Sequence, residues 1–485
     1  MIKNITKISK KYSLITLIIF YTFLSISCIE SEKLNNDKDY NYISEEIVFD
    51  KLKMLDATNS DKNKQFNSKF NNADESEIIK IAACIAQVNQ CKDDKDLAAK
   101  AILFMGNSTN NNFIRPLVDI LWIDNELDEL INESLSKLTK KYFSSASEWE
   151  IWLNDNKKIS SPDQYRQLKG EIFSYIDDGY YNIFNNEDNQ SLNINQTKWI
   201  GSKLGAIPAL NNPKFIKQNE EKYLNKNDII IGIKVQDEFR AYPIKILKWH
   251  GVINDKINNQ EFSIIYCPMT NTSTVFNNKK TGELSFSGLF EDKKCLVNNN
   301  NNILIDSTTG SFGKELNELE RYPMIQSTWQ FWQKYYPNSK VLSMNTGFLI
   351  DYQKDKLPHW INLIQPQNIA LEFSKHHEDQ NYRTMVNYHY QNQRVSHLLY
   401  YINDFRIINK TINNNKIVTI IFDNGIGART FIGPKDNLIK ISYSQKNGWL
   451  AQDTENIYWF ISENGLINQD DSSFYAEIPN FITNE

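Results

Sequence analysis

His250 and Cys267 close the two ends of the stretch KWHGVINDKINNQEFSIIYC, in a chain of 485 residues that holds six His and five Cys. Two chemistries would use such a pair. A neutral imidazole can take the thiol proton and leave a nucleophilic thiolate. Alternatively, imidazole and thiolate can both ligate zinc or copper, which then needs at least one further ligand. Asp255, Asp306 and the run His376-His377-Glu378-Asp379 are the acids and imidazoles on offer, and no spacing ties them to the pair. Neighbours in the His-His-Glu-Asp run point in different directions, so it reads as a solvated loop. Arg240 and Asp255 are placed to organise strand ends. The chain has no Gly-rich phosphate loop, no Gly-x-Ser-x-Gly elbow and no His-Glu-x-x-His motif.

The elements that would position the pair can be read from the same stretch. Asn258-Asn259 separates two β-like runs, and Asn suits a two-residue reversal whose central positions need φ > 0. With those two residues as the loop, Lys256 faces Glu261, Val252 faces Ile265 and His250 faces Cys267. Directly opposed residues hold their Cβ atoms roughly 4.5–5.5 Å apart. The segment repeats: residues 242–276 align without a gap on 397–431 at an offset of 155, matching Ile253-Asn254 with Ile408-Asn409 and Phe276 with Phe431. The second copy has Phe405 and Phe422 where the first has His250 and Cys267, so plain packing residues can fill the position.

Before these elements lies a segment of another kind. Lys3, Lys7, Lys10 and Lys11 precede an apolar run, Leu14 to Leu24, and then Ser25-Ile26-Ser27-Cys28. The run is short for a bilayer span, and the sequence resembles a bacterial lipoprotein signal in which Cys28 is lipidated. Ile29 is not the Asp that retains such proteins at the inner membrane, so the outer membrane is favoured. Removing residues 1–27 takes four Lys and no acid from a formal charge of −5, giving −9. A mildly acidic chain without a basic cluster is no nucleic-acid binder. Residues 29–72 are polar and read as a flexible tether. Beyond the signal remain Cys84, Cys91, Cys267 and Cys295, in a compartment that permits disulfides. Cys84 and Cys91 would be separated by about 10.5 Å of rise within one helix, which points to core packing rather than a bridge.

Residues 73–160 carry helical periodicity in short paired segments, including SEWEIWL, and suit a HEAT-like α-solenoid that could contact an envelope protein. A helical bridge spans 161–198. From Trp199 the signal is β, giving an α+β chain with a first β-rich lobe at 199–345 and a second, degenerate lobe at 346–485 built by duplication. GAIPALNNPKF (205–215), RAYPIKILKWHGVIND (240–255), YCPM (266–269), FSGLF (286–290), DSTTGS (306–311) and TWQFWQKYYPNSKVLS (328–343) run in order. As a set they resemble the bacterial domain-of-unknown-function family 3179, over about residues 75–470. The resemblance brings no established activity. This chain has Thr270 and Asn271 where the family has a second Cys and a Gly, no Trp after Asp306-Ser307-Thr308, and an inserted Asn run at 298–302. The sequence therefore favours a lipid-anchored binding or assembly role at the envelope over a thiol- or metal-dependent enzyme. A Cys28→Ala variant is expected to leave the membrane fraction for the soluble fraction on cell fractionation.

Overall fold

The computed structural model describes residues 70, 73–83, 95–123, 127–268, 270–291, 294–353, 384–399, 405–462 and 465–484. The expected lipoprotein signal, all of the expected tether except Phe70, Cys84, Cys91 and the His376–Asp379 run lie outside these residues. Among the described residues no helix is long and apolar enough to cross a membrane.

The front of the chain is helical: α1 (Glu75–Ala82), α2 (Lys95–Asn107), α3 (Ile114–Leu121), α4 (Asp128–Thr139), α5 (Ala146–Asp155), α6 (Tyr165–Ser174) and α7 (Gly179–Asn185). Local signals set their starts. Asp74 caps α1 by accepting from the Glu77 N–H, and Ser145 with Glu148 forms a capping box on α5. Every residue of α3 is buried. Its Asp119 meets Lys169 of α6 at 3.0 Å and accepts from the Tyr165 hydroxyl at 2.5 Å, while Lys169 also donates to the Thr197 carbonyl. That buried network, with Trp199 stacked on Phe173 at 4.3 Å, fastens the helices to the first β segment. Trp149 is fully buried, as its helical spacing implied.

The rest is β-rich, and the duplication is far more extensive than the aligned segment. In the first half the repeated strands are β1 (Ile229–Val235), β2 (Glu238–Pro243), β3 (Val252–Ile257), β4 (Gln260–Cys267), β5 (Thr272–Asn277), β6 (Ser285–Glu291), β7 (Lys294–Asn298), β8 (Leu304–Asp306), β9 (Ser311–Phe312), β10 (Asn317–Glu318) and β11 (Ile325–Thr328). The second half answers with β12 (Thr384–Tyr390), β13 (Gln393–Leu398), β14 (Arg406–Ile412), β15 (Asn415–Phe422), β16 (Gly427–Ile432), β17 (Leu438–Ser444), β18 (Gly448–Asp453), β19 (Tyr458–Ile461), β20 (Gly465–Asn468), β21 (Phe474–Ile478) and β22 (Asn480–Asn484). Register is shared as well as order. Val252 pairs with Ile265 and Ile407 with Ile420; Ile230 pairs with Pro243 and Met385 with Leu398. Small polar contacts recur too. Asn258 donates to the Gln236 side chain and Asn413 to that of Gln391, both at 2.9 Å. Asn254 exchanges two hydrogen bonds with the Leu284 backbone, and Asn409 does the same with Leu438.

Strands of the two expected lobes share a sheet. One sheet runs β13-β12-β22-β5-β4-β3, with Leu210–Asn211 at its edge, so strands of both halves share it. Ser273 of β5 pairs with Ile482 of β22 at the junction. The strands β11-β1-β2 form a second sheet with Lys340–Leu342 and Phe215–Lys217. The meander β6 to β10 builds a third, and β14-β15-β16-β21-β20-β19-β18-β17 a fourth. Between β11 and Lys340–Leu342 lies helix α9 (Trp329–Tyr335), whose Trp332 is fully buried against Gly232 of β1. A methyl group on Gly232 would come within 1.9 Å of the Trp332 ring. Gly232→Ala is therefore expected to destabilise the fold by about 1–3 kcal/mol, the usual cost of overpacking, read as a lowered midpoint in urea unfolding.

Candidate functional site

The hairpin turns at Asn258-Asn259 with Lys256 bonded to Glu261 at 2.7 Å, although of the two turn residues only Asn258, at φ 55°, has the expected positive φ; it does not bring His250 to Cys267. The ladder ends at the Val252–Ile265 pair. Residues Ile244–His250 form a helix of their own, α8, placed in the chain between β2 and β3. Pro243 precedes its first turn, and Gly251 ends it at φ 67° with its N–H bonded to the Leu247 carbonyl at 2.7 Å. Pro just before the start and Gly just after the end are the signals that mark such a helix. On the other strand Cys267 faces Thr272, not His250.

Each partner is engaged elsewhere. His250 is fully buried. Its Nδ1 lies 2.7 Å from the Pro208 carbonyl and its Nε2 2.6 Å from the Tyr352 hydroxyl. A carbonyl can only accept, so Nδ1 carries the proton, and Nε2 accepts from Tyr352. Thr346 in turn lies 2.7 Å from the Tyr352 oxygen. The ring is a link in a hydrogen-bond chain whose accepting nitrogen is already used. Burial holds its pKa below the ordinary value near 6.5, against the opposing bond to Pro208. Cys267 is joined to Cys295 of β7 by a disulfide, Cα to Cα 5.6 Å, packed among Ile200, Ile207, Phe286 and Phe290. The zinc or copper reading of His250 and Cys267 has neither nitrogen nor thiolate to draw on in this arrangement. Among the described residues no group of three His, Cys, Asp or Glu could hold a metal ion.

The supporting residues sit apart. Arg240 meets Asp255 at 2.6 Å and Glu238 at 2.6 Å, and the Tyr242 hydroxyl also donates to Asp255 at 2.6 Å, a clasp between β2 and β3. Asp306 bonds Lys294 at 3.0 Å and accepts from the Thr308 and Thr309 amides.

The equivalent of the disulfide in the second half is aromatic. Phe422 stands in the place of Cys267, and Trp449 opposes Tyr443 as Cys295 opposes Phe290. Phe331 of α9 stacks on Phe422 at 5.1 Å and on Trp449 at 6.1 Å. Beside this stack opens a cavity of about 210 Å³, between β1 and β2 of the first half and the meander of the second. Phe239, Tyr322, Tyr335, Tyr336, Tyr443 and Trp449 give it aromatic walls. Arg429 and Glu477 also line it, joined by paired hydrogen bonds, one of 2.9 Å, while Arg429 also donates to the Ser462 carbonyl at 2.6 Å. Burial pushes the Glu477 carboxyl up and Arg429 opposes that rise. Sequence reading missed this site, because its residues come from segments about 100–250 positions apart and carry no local motif.

The fold and these sites define an α+β protein built on an internally duplicated β unit, with a disulfide in the first half and an aromatic cavity between the halves. Residues 204–459 match the family described as "Protein of unknown function (DUF3179)", and the chain belongs to that family. No curated protein matches it, and no solved structure does.

Two outcomes follow. Replacing both Cys267 and Cys295 by Ala opens a loop of 28 residues and is expected to lower stability by about 3–4 kcal/mol on chain entropy, measured by denaturant unfolding with and without reductant. His250 adds stability at neutral pH that is lost as pH falls below its ordinary value near 6.5, because there the unfolded chain takes the extra proton. A His250→Gln variant is expected to lose less stability than the parent between about pH 7 and pH 5, as followed by thermal unfolding across that range.

Proposed function

We propose that this chain is a ligand-binding protein of the bacterial cell envelope, lipid-anchored at Cys28 with the outer membrane favoured, and that its ligand enters the aromatic cavity between the halves. The cavity is the observation that carries the reading. Aromatic faces line it together with a charged pair, the arrangement by which apolar contact gives affinity and a few fixed polar groups give orientation. Its volume, about 210 Å³, is below the roughly 300–1,000 Å³ of sites for drug-sized ligands. One hydroxylated ring, such as a single pyranose, suits that size: its C–H faces would lie on Trp449 and Tyr443, and its hydroxyls would reach Arg429 and Glu477.

The disulfide supports the extracytoplasmic part of the reading, since such bonds persist in oxidising compartments. It also weighs against the enzyme alternative at His250 and Cys267, whose sulfur is already bonded. The front helices are read as a HEAT-like surface for an envelope partner, supported by the exposed Tyr142, Ile151, Tyr175 and Tyr181.

Titration of the purified chain with methyl glycosides, followed by tryptophan fluorescence, tests the cavity. Saturable binding is expected, weakened at least about tenfold in Trp449→Ala, the loss of one stacked aromatic contact. Equal binding by Trp449→Ala, or no binding of any glycoside by the parent chain, would remove the sugar reading.

A further inference from the structure

The duplication supplies an internal control for charge. In the second half Glu477 stands opposite Phe431, and Arg429 stands opposite Ile420; the two form a buried pair. In the first half the corresponding partners are Arg321, opposite Phe276, and Thr274, opposite Ile265. A cation therefore occupies the acid's place, and a hydroxyl occupies the base's place. The Thr274 hydroxyl bonds the Ser307 carbonyl at 2.8 Å, as Arg429 bonds that of Ser462.

Among the described residues Arg321 is held without a bonded counter-ion. Its guanidinium lies between Phe276, at 5.0 Å, and Phe481, at 4.1 Å. Nη2 donates to the Thr308 carbonyl, while Nη1 is buried and has no hydrogen-bond partner among the described residues. Among the same residues the buried hydroxyls of Ser307 and Thr308, the residue whose carbonyl Arg321 grips, are also without partners. Asp306 and Glu318 act on Arg321 only at longer range: Asp306 is bonded to Lys294, and Glu318 is exposed. Burial lowers the Arg321 pKa to about 10, so the group is still charged at neutral pH. A second cation, Arg394, lies over the same Phe481 ring at 5.7 Å. A buried charge with an unused donor is costly unless an opposite charge meets it.

We propose that the first half contains a binding site for a ligand carboxylate, which meets Arg321 as the Glu477 carboxylate meets Arg429 in the second half. The Nη1 donor and the hydroxyls of Ser307 and Thr308 supply its hydrogen bonds, and Arg394 adds attraction. This site is independent of the aromatic cavity and does not rest on the sugar reading.

The test uses the full chain, with acetate and succinate as probes against chloride at constant ionic strength. A saturable rise in Tm with either carboxylate, absent with chloride, is expected. Arg321→Met is expected to weaken the apparent affinity about tenfold or more, as for loss of a charge-assisted hydrogen bond. Thr274→Asp supplies the carboxylate from within the chain. It is expected to abolish the response to acetate. The proposal is overturned if carboxylates and chloride act alike on the parent chain, or if Arg321→Met responds as the parent does. It is likewise overturned if Thr274→Asp keeps the full acetate response, or if inorganic phosphate alone raises Tm.

Discussion

The backbone of β5 has to find hydrogen-bond partners on both sides, and that requirement governs the β architecture. On one side β4 supplies them through the hairpin meander. On the other the sheet continues with β22, a strand of the opposite half, through Ser273 and Ile482. An unpaired strand edge invites association with other chains, and here the second copy of the repeat covers it. The cavity walls follow from the same arrangement. Phe239 of the first half can face Trp449 of the second only because the halves are interleaved.

Once two copies of one β unit share a frame, their differences can be compared position by position. A covalent bond joins β4 to β7 in the first half, whereas Phe331 wedged between two rings does so in the second. A buried ion pair in the second half corresponds to a guanidinium that, among the described residues, has no bonded carboxylate in the first. Each half satisfies the same space by a different kind of interaction. The polar contacts kept in both, Asn258 with Gln236 and Asn413 with Gln391, lie at the turns that set register.

Much of this was legible in the residues. The Asn-Asn reversals, the 155-residue offset and the register through Lys256 and Glu261 all followed from local pattern, because turn chemistry and side-chain alternation are local properties. The α+β class was legible for the same reason, and the family through an ordered set of motifs such as RAYPIKILKWHGVIND. The site was not. Extending the ladder to His250 overlooked Pro243 and Gly251, which mark a helix too short for its periodicity to outweigh the neighbouring strands. The partner of Cys267 lies 28 residues away on another sheet, a distance that spacing alone does not fix. The Arg429–Glu477 pair and its aromatic surround join strands whose neighbours are decided by tertiary packing.

The place of β22 has a bearing on how the molecule assembles. A polypeptide that emerges from its N-terminus can form the β3–β4–β5 hairpins early, since those contacts are close in sequence. Their sheet stays unfinished on one side until residues 480–484 arrive, some two hundred positions later. Such long-range closure is slow, and during the wait the open flank of β5 is the part of the molecule most in need of a chaperone's cover.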